Sequence, residues 1–123
     1  GNTCMNANSS SPSLLELGRA LEFVGEEDQI DTMLGMLRDS LETDIPAIDQ
    51  CIAGGDVRGA NRLLHPLKGF MPVFCVVTLV DKLFLAEKIS KGDDLASLRD
   101  AWAALRPDLV ALKAEIEARQ GKA

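Results

Sequence analysis

Two stretches of this chain place an apolar residue at every third or fourth position, and no other pattern in it runs as long. Ile30, Leu34, Leu37, Leu41, Ile45, Ile48 and Ile52 form one run. Leu95, Leu98, Trp102, Leu105, Leu109, Leu112 and Ile116 form the other. At about 3.6 residues per turn, this spacing gathers the side chains on one stripe of an α-helix, which must be buried against other helices. Pro46 and Pro107 each remove a backbone donor but leave the phase of the stripe intact. A kink at each is expected, not two unrelated helices. No stretch shows convincing period-two alternation, so strands are not expected.

Shorter segments repeat the same periodicity. Val57, Ala60, Leu64, Leu67, Met71 and Phe74 step by three and four. A further helix is expected from Val76 to Lys91, with Val76, Leu79, Val80 and Leu83 inward. Gly25, Gly54-Gly55 and Gly92 punctuate the chain. Asp56 is a ready N-cap, and the last helix is expected to start near Asp94. Ser13 is expected to cap a short first helix ending at Val24. The fold implied is all-α: an antiparallel four-helix bundle with an additional short N-terminal helix, over residues 13–120. Residues 1–12 are Asn/Ser-rich, end at Pro12, and read as a disordered tail or linker.

A length of 123 residues suits one domain with a single core. The formal net charge of -6 lacks the basic footprint that nucleic acid requires. Cys4, Cys51 and Cys75 are widely separated and odd in number, which argues against a disulfide framework and for a reducing compartment. The most apolar run, Phe70 to Val80, is too short to span a bilayer and contains Pro72. No signal-peptide pattern is present. A cytoplasmic location without membrane insertion is therefore expected.

His65 is the only histidine. It stands one residue, about 100° around a helix, beyond the apolar Leu64, so it is expected at the edge of the bundle or exposed. Its neighbours three and four residues on are Lys68 and Gly69. One histidine without clustered cysteines does not make a typical zinc site. Nucleophilic work by the ring itself fits better, since histidine is the side chain that changes charge nearest neutrality. Lys68 offers a point charge for phosphate oxygens. Glycine in an exposed helix costs on the order of 1 kcal/mol relative to alanine. Gly69 therefore reads as clearance for something docking over His65, although Gly59 in the same helix suggests that a glycine there can be incidental. Arg58 and Arg62 extend the positive charge on the same face.

The string His65-Pro66-Leu67-Lys68-Gly69 resembles the His-x-Leu-Lys-Gly motif of histidine-containing phosphotransfer (HPt) domains. The resemblance spans roughly residues 14–118, including a helix, then Ala53-Gly54-Gly55-Asp56, then the histidine helix. It implies that His65 accepts a phosphoryl group from a receiver-domain aspartate and passes it to a second receiver. Lys68 would steady the phosphoryl oxygens, and Gly69 would leave room for the partner. Glu87 falls where the family places an acid or amide that hydrogen-bonds the imidazole. Arg58 and Arg62 would face the acidic pocket of the receiver. The implied partners are receivers of response regulators or of a hybrid sensor histidine kinase. The implied module is a monomeric carrier, not an enzyme, with no cofactor of its own and with Mg²⁺ coming from the receiver.

Two positions depart from the family pattern. Cys75 stands where the family has glycine, which changes the turn after the helix. Pro66 clashes with the carbonyl of Arg62 and disfavours helical geometry at His65, so a local kink is expected there. That kink is the basis of an alternative reading, a receiver-docking or protein-interaction bundle that has lost transfer. Two further alternatives are a kinase dimerisation hairpin, which five helical segments and Pro66 do not match, and a bundle without phosphate chemistry.

Overall fold

The structure, a computed structural model, describes residues 13–121. The expected tail over 1–12, with Cys4, lies outside the described residues. Five helices follow one another: α1 Gly18–Val24, α2 Glu27–Ala53, α3 Val57–Phe74, α4 Val77–Ile89 and α5 Leu95–Arg119. The long helices α2 and α5 pack together, α3 packs on α2, and α4 closes the ring against α3 and α5. Short α1 lies across α2 and α3. Asp31, Arg38 and Asp49, rising along α2, pair with Arg119, Glu117 and Arg106, falling along α5. The two longest helices are therefore antiparallel. The expected class holds: an all-α antiparallel four-helix bundle with a short helix added at its N-terminal end.

The two long apolar stripes are the core. Every member of the α2 stripe is buried, as is every member of the α5 stripe except half-buried Leu95. Ala60, Leu64, Leu67, Met71 and Phe74 face them from α3, and Leu79, Leu83 and Ala86 from α4. Helices α2, α3 and α5 run through Pro46, Pro66, Pro72 and Pro107 without a break. Tertiary burial of the stripe on either side outweighs the lost backbone donors. Gly25 ends α1 in the left-handed region at φ 84°, its N–H donating to the Leu21 carbonyl at 2.8 Å. Asp56 and Asp94 cap α3 and α5, accepting from the Gly59 and Ser97 N–H groups at 2.8 and 3.0 Å. Among the described residues, no helix is long and apolar enough to cross a membrane.

The first helix differs from expectation. It begins at Gly18, and Ser13 does not cap it. The stretch before it instead runs alongside the α3–α4 turn. The Glu16 N–H donates to the Phe74 carbonyl at 2.8 Å, and the Val76 N–H to the Leu14 carbonyl at 3.0 Å. These bonds make a bridge between Leu15 and Cys75. The Ser13 hydroxyl and the Leu14 N–H both reach the Glu115 carboxylate on α5. A charged acceptor from α5 and the open edge of the turn therefore compete successfully with a local helix. Cys75 sits in that turn at φ -118° and ψ 157°, extended backbone that needs no glycine. Its thiol is pushed up to about 12 by burial and by the nearby Glu115 charge, with Arg19 acting in the opposite direction. Helix α4 also differs: it spans Val77–Ile89, Val76 and Val80 are only half-buried, and Ala86 and Glu87 extend its inward stripe.

Candidate functional site

The site lies on the seam between α3 and α4. One step around α3 from the buried Ala60, Leu64 and Leu67 runs a polar stripe of Asn61, His65 and Lys68, spaced four and three. The tight turn from Phe74 to Val77 sends α4 back antiparallel to α3. That return lays Glu87 opposite all three. Glu87 itself follows Leu79 and Leu83 at helical spacing, so the phase of the α4 apolar stripe carries a carboxylate inward. Its side chain is 1% exposed.

Three hydrogen-bond donors and a further ammonium group surround that carboxylate. Oε2 takes His65 Nδ1 at 3.1 Å and Asn61 Nδ2 at 3.3 Å. Oε1 takes Lys68 Nζ at 3.1 Å, with Lys91 Nζ at 3.7 Å. The Asn61 amide also donates to the Glu87 carbonyl at 3.2 Å and to Ser90 Oγ at 2.8 Å, and Ser90 Oγ donates to the Glu87 carbonyl at 2.7 Å. Burial alone would raise the Glu87 pKa. Hydrogen bonds from His65, Lys68 and Asn61 outweigh it and hold the group at about 2, so it is ionised at neutral pH.

An ionised carboxylate only accepts hydrogen bonds. The proton of a neutral His65 ring is therefore on Nδ1, facing Glu87, and the lone pair is on Nε2. The His65 side chain is 66% exposed, against a nearly fully buried partner. The arrangement presents one nucleophilic nitrogen on a ring whose tautomer is held from below. With Pro66 inside it, α3 is continuous and His65 reaches Glu87.

The other expected residues divide into two groups. Lys68 joins the cluster, its ammonium also 5.3 Å from the Phe84 ring centroid. Gly69 is on the surface, and a Cβ built there meets nothing within 4 Å. No internal contact explains the absent side chain. Gly59 is the opposite case. A Cβ there would overlap the Asp56 carboxylate that caps α3 and approach Cys51 Sγ at 2.9 Å. A side chain there would have to displace the Asp56 cap or Cys51, so unlike Gly69 this glycine has an internal reason to be there. Arg58 and Arg62 are exposed and make no ion pair among the described residues, so the structure does not join them to the cluster.

Sequence reasoning missed Asn61, Ser90, Lys91 and Phe84 as members of the site. Asn61 carries a local signal, four residues before His65. Lys91 and Phe84, four after and three before Glu87, become visible once Glu87 is assigned. Ser90 carries none, since its role arises only when α4 ends opposite Asn61. Phe70, an apolar neighbour of the motif, packs edge-on against Phe74 with centroids 5.1 Å apart. A comparison with protein-family models, curated proteins and solved structures finds no match to this chain.

Proposed function

We propose that this chain is a histidine phosphotransfer module of a multi-step phosphorelay, with His65 as the phosphoryl acceptor. The observation that carries the reading is the bond from His65 Nδ1 to buried, ionised Glu87, which leaves the Nε2 lone pair outside that bond on a largely exposed side chain. In the proposed step, Nε2 attacks the phosphorus of a receiver-domain aspartyl phosphate in line. The Nε2–P bond forms, the P–O bond to the aspartyl oxygen breaks, and the carboxylate leaves with the electron pair. No proton leaves Nε2, because it carries none. Nδ1 keeps its proton, and Glu87 balances the positive charge that the ring acquires. Phosphoryl transfer is chiefly a matter of alignment and charge stabilisation, and Lys68 is the cation one turn from the reacting nitrogen. Mg²⁺ bound by the receiver would stabilise charge on its side.

The same reading assigns Gly69 as clearance, since nothing inside the protein requires it. Arg58 and Arg62, exposed on the histidine helix, would steer an acidic receiver pocket. The module acts as a monomeric cytoplasmic carrier between two receivers and turns over no substrate alone. The unbroken α3 and the His65–Glu87 bond favour transfer over docking without transfer.

The test is incubation with a panel of phosphorylated receivers and Mg²⁺. An acid-labile, alkali-stable label is expected on the wild type and not on His65→Gln. Binding of a receiver without labelling would leave the docking-only reading in its place.

A further inference from the structure

Oε1 of Glu87 faces two ammonium groups, not one. Lys68 reaches it from α3 at 3.1 Å, and Lys91 approaches from the end of α4 at 3.7 Å. The Lys68 side chain is 27% exposed and also sits by the Phe84 ring, whereas Lys91 is 57% exposed. The second oxygen is already occupied by His65 and Asn61. Turning Lys68 outward leaves Oε1 without its hydrogen-bonded cation, and a carboxylate this buried then loses part of what compensates its desolvation. Lys68 therefore has two competing demands once His65 carries a phosphoryl group: the carboxylate below and the phosphoryl oxygens outside.

We infer that Lys91 is a relief counter-ion, closing onto Glu87 Oε1 when Lys68 turns outward to the phosphoryl group on His65. This inference rests on the phosphoacceptor reading above and adds a positioning residue to it. The geometry suits the exchange. Lys91 follows Glu87 by one turn, so its long side chain approaches the same oxygen without any backbone movement. Its separation from Oε1 is longer than a hydrogen bond, and most of its side chain is in solvent, so it is held less firmly than Lys68. Before transfer, two ammonium groups share one carboxylate. After it, each has an anion of its own, and Glu87 stays ionised beneath the ring. No bond is made or broken in the exchange itself.

The test uses phosphoramidate, a small donor that needs no receiver. Its ammonia leaves as the P–N bond breaks and the Nε2–P bond forms. Lys91→Gln is expected to slow labelling of His65 about 3- to 10-fold, and Lys91→Arg to restore it. In a Lys68→Gln background, Lys91→Gln is expected to have no further effect, because its role is to release Lys68. In ¹⁵N spectra of the lysine side chains, phosphorylation should shift both ammonium groups, with Lys91 gaining a contact to the Glu87 side chain that Lys68 loses. A wild-type labelling rate in Lys91→Gln, or effects that multiply in the double variant, overturns the exchange while leaving His65 as acceptor. Failure of the wild type to label at all overturns the acceptor reading and the exchange with it.

Discussion

Glu87 shows at the residue scale how a single buried charge sets the chemistry of an exposed neighbour. Its pKa is held at about 2, against an ordinary 4.5, by donors that exceed the burial penalty. The folded state therefore binds this proton less readily than the unfolded chain does. The stabilisation is fully present above about pH 4.5 and is lost as pH falls towards 2. It amounts to something on the order of 3 kcal/mol. Urea midpoints measured across that range should fall less steeply for Glu87→Gln than for the wild type, with the variant less stable at pH 7. Equal slopes would mean that the carboxylate is not held as described. Two glycines on α3 make a second residue-scale contrast. Gly69→Ala should stabilise the fold by ~0.5–1 kcal/mol, since its Cβ enters open space. It should also slow transfer from a receiver more than labelling by a small donor. Gly59→Ala should instead destabilise by about 1–3 kcal/mol, because the added carbon displaces the Asp56 cap. Thermal melts of the pair decide whether the two glycines have separate reasons to be there.

At the scale of elements, α3 combines a strong inward stripe with two interior prolines. Pro66 is exposed, and its ring denies the Arg62 carbonyl a helical partner. The helix nonetheless continues, because Leu64 and Leu67 on either side of it are buried. Pro66→Ala should restore the missing bond and raise stability by roughly 1–2 kcal/mol. Labelling of His65 should persist in that variant at a rate near that of the wild type. A large gain in labelling would show that the proline holds the ring away from its working position. Antiparallel pairing of α3 with α4 matters as much as either helix, because it sets Glu87 opposite the Asn61, His65 and Lys68 stripe. The extended stretch before α1 ties that pair at its turn through the Leu15–Cys75 bridge.

Across the whole molecule, the core is one continuous cluster drawing on all five helices. Trp102, the single tryptophan, is buried on the α2–α5 seam, with its Nε1–H donating to Asp49 at 2.7 Å. Unfolding in urea followed by its fluorescence should coincide with the loss of helicity by circular dichroism. Separate transitions would show that the α3–α4 hairpin unfolds independently of that seam. The helices and their inward faces were legible in the chain because burial of a periodic stripe is a local property, readable from spacing alone. The motif around His65 was legible for the same reason, since residues three and four apart must share a face. Glu87 was placed by resemblance, but its burial was not legible. A glutamate on a helix ordinarily faces water, and only the return of α4 against α3 surrounds this one with enough donors to keep it charged inside. The first helix went the other way: Ser13 reads locally as a cap, yet a carboxylate on α5 and the edge of the α3–α4 turn claim it and its neighbours. Short-range periodicity thus determined which segments are helical and which side of each is buried. Long-range packing decided which polar groups meet, because their pairing depends on chain segments that only folding brings together.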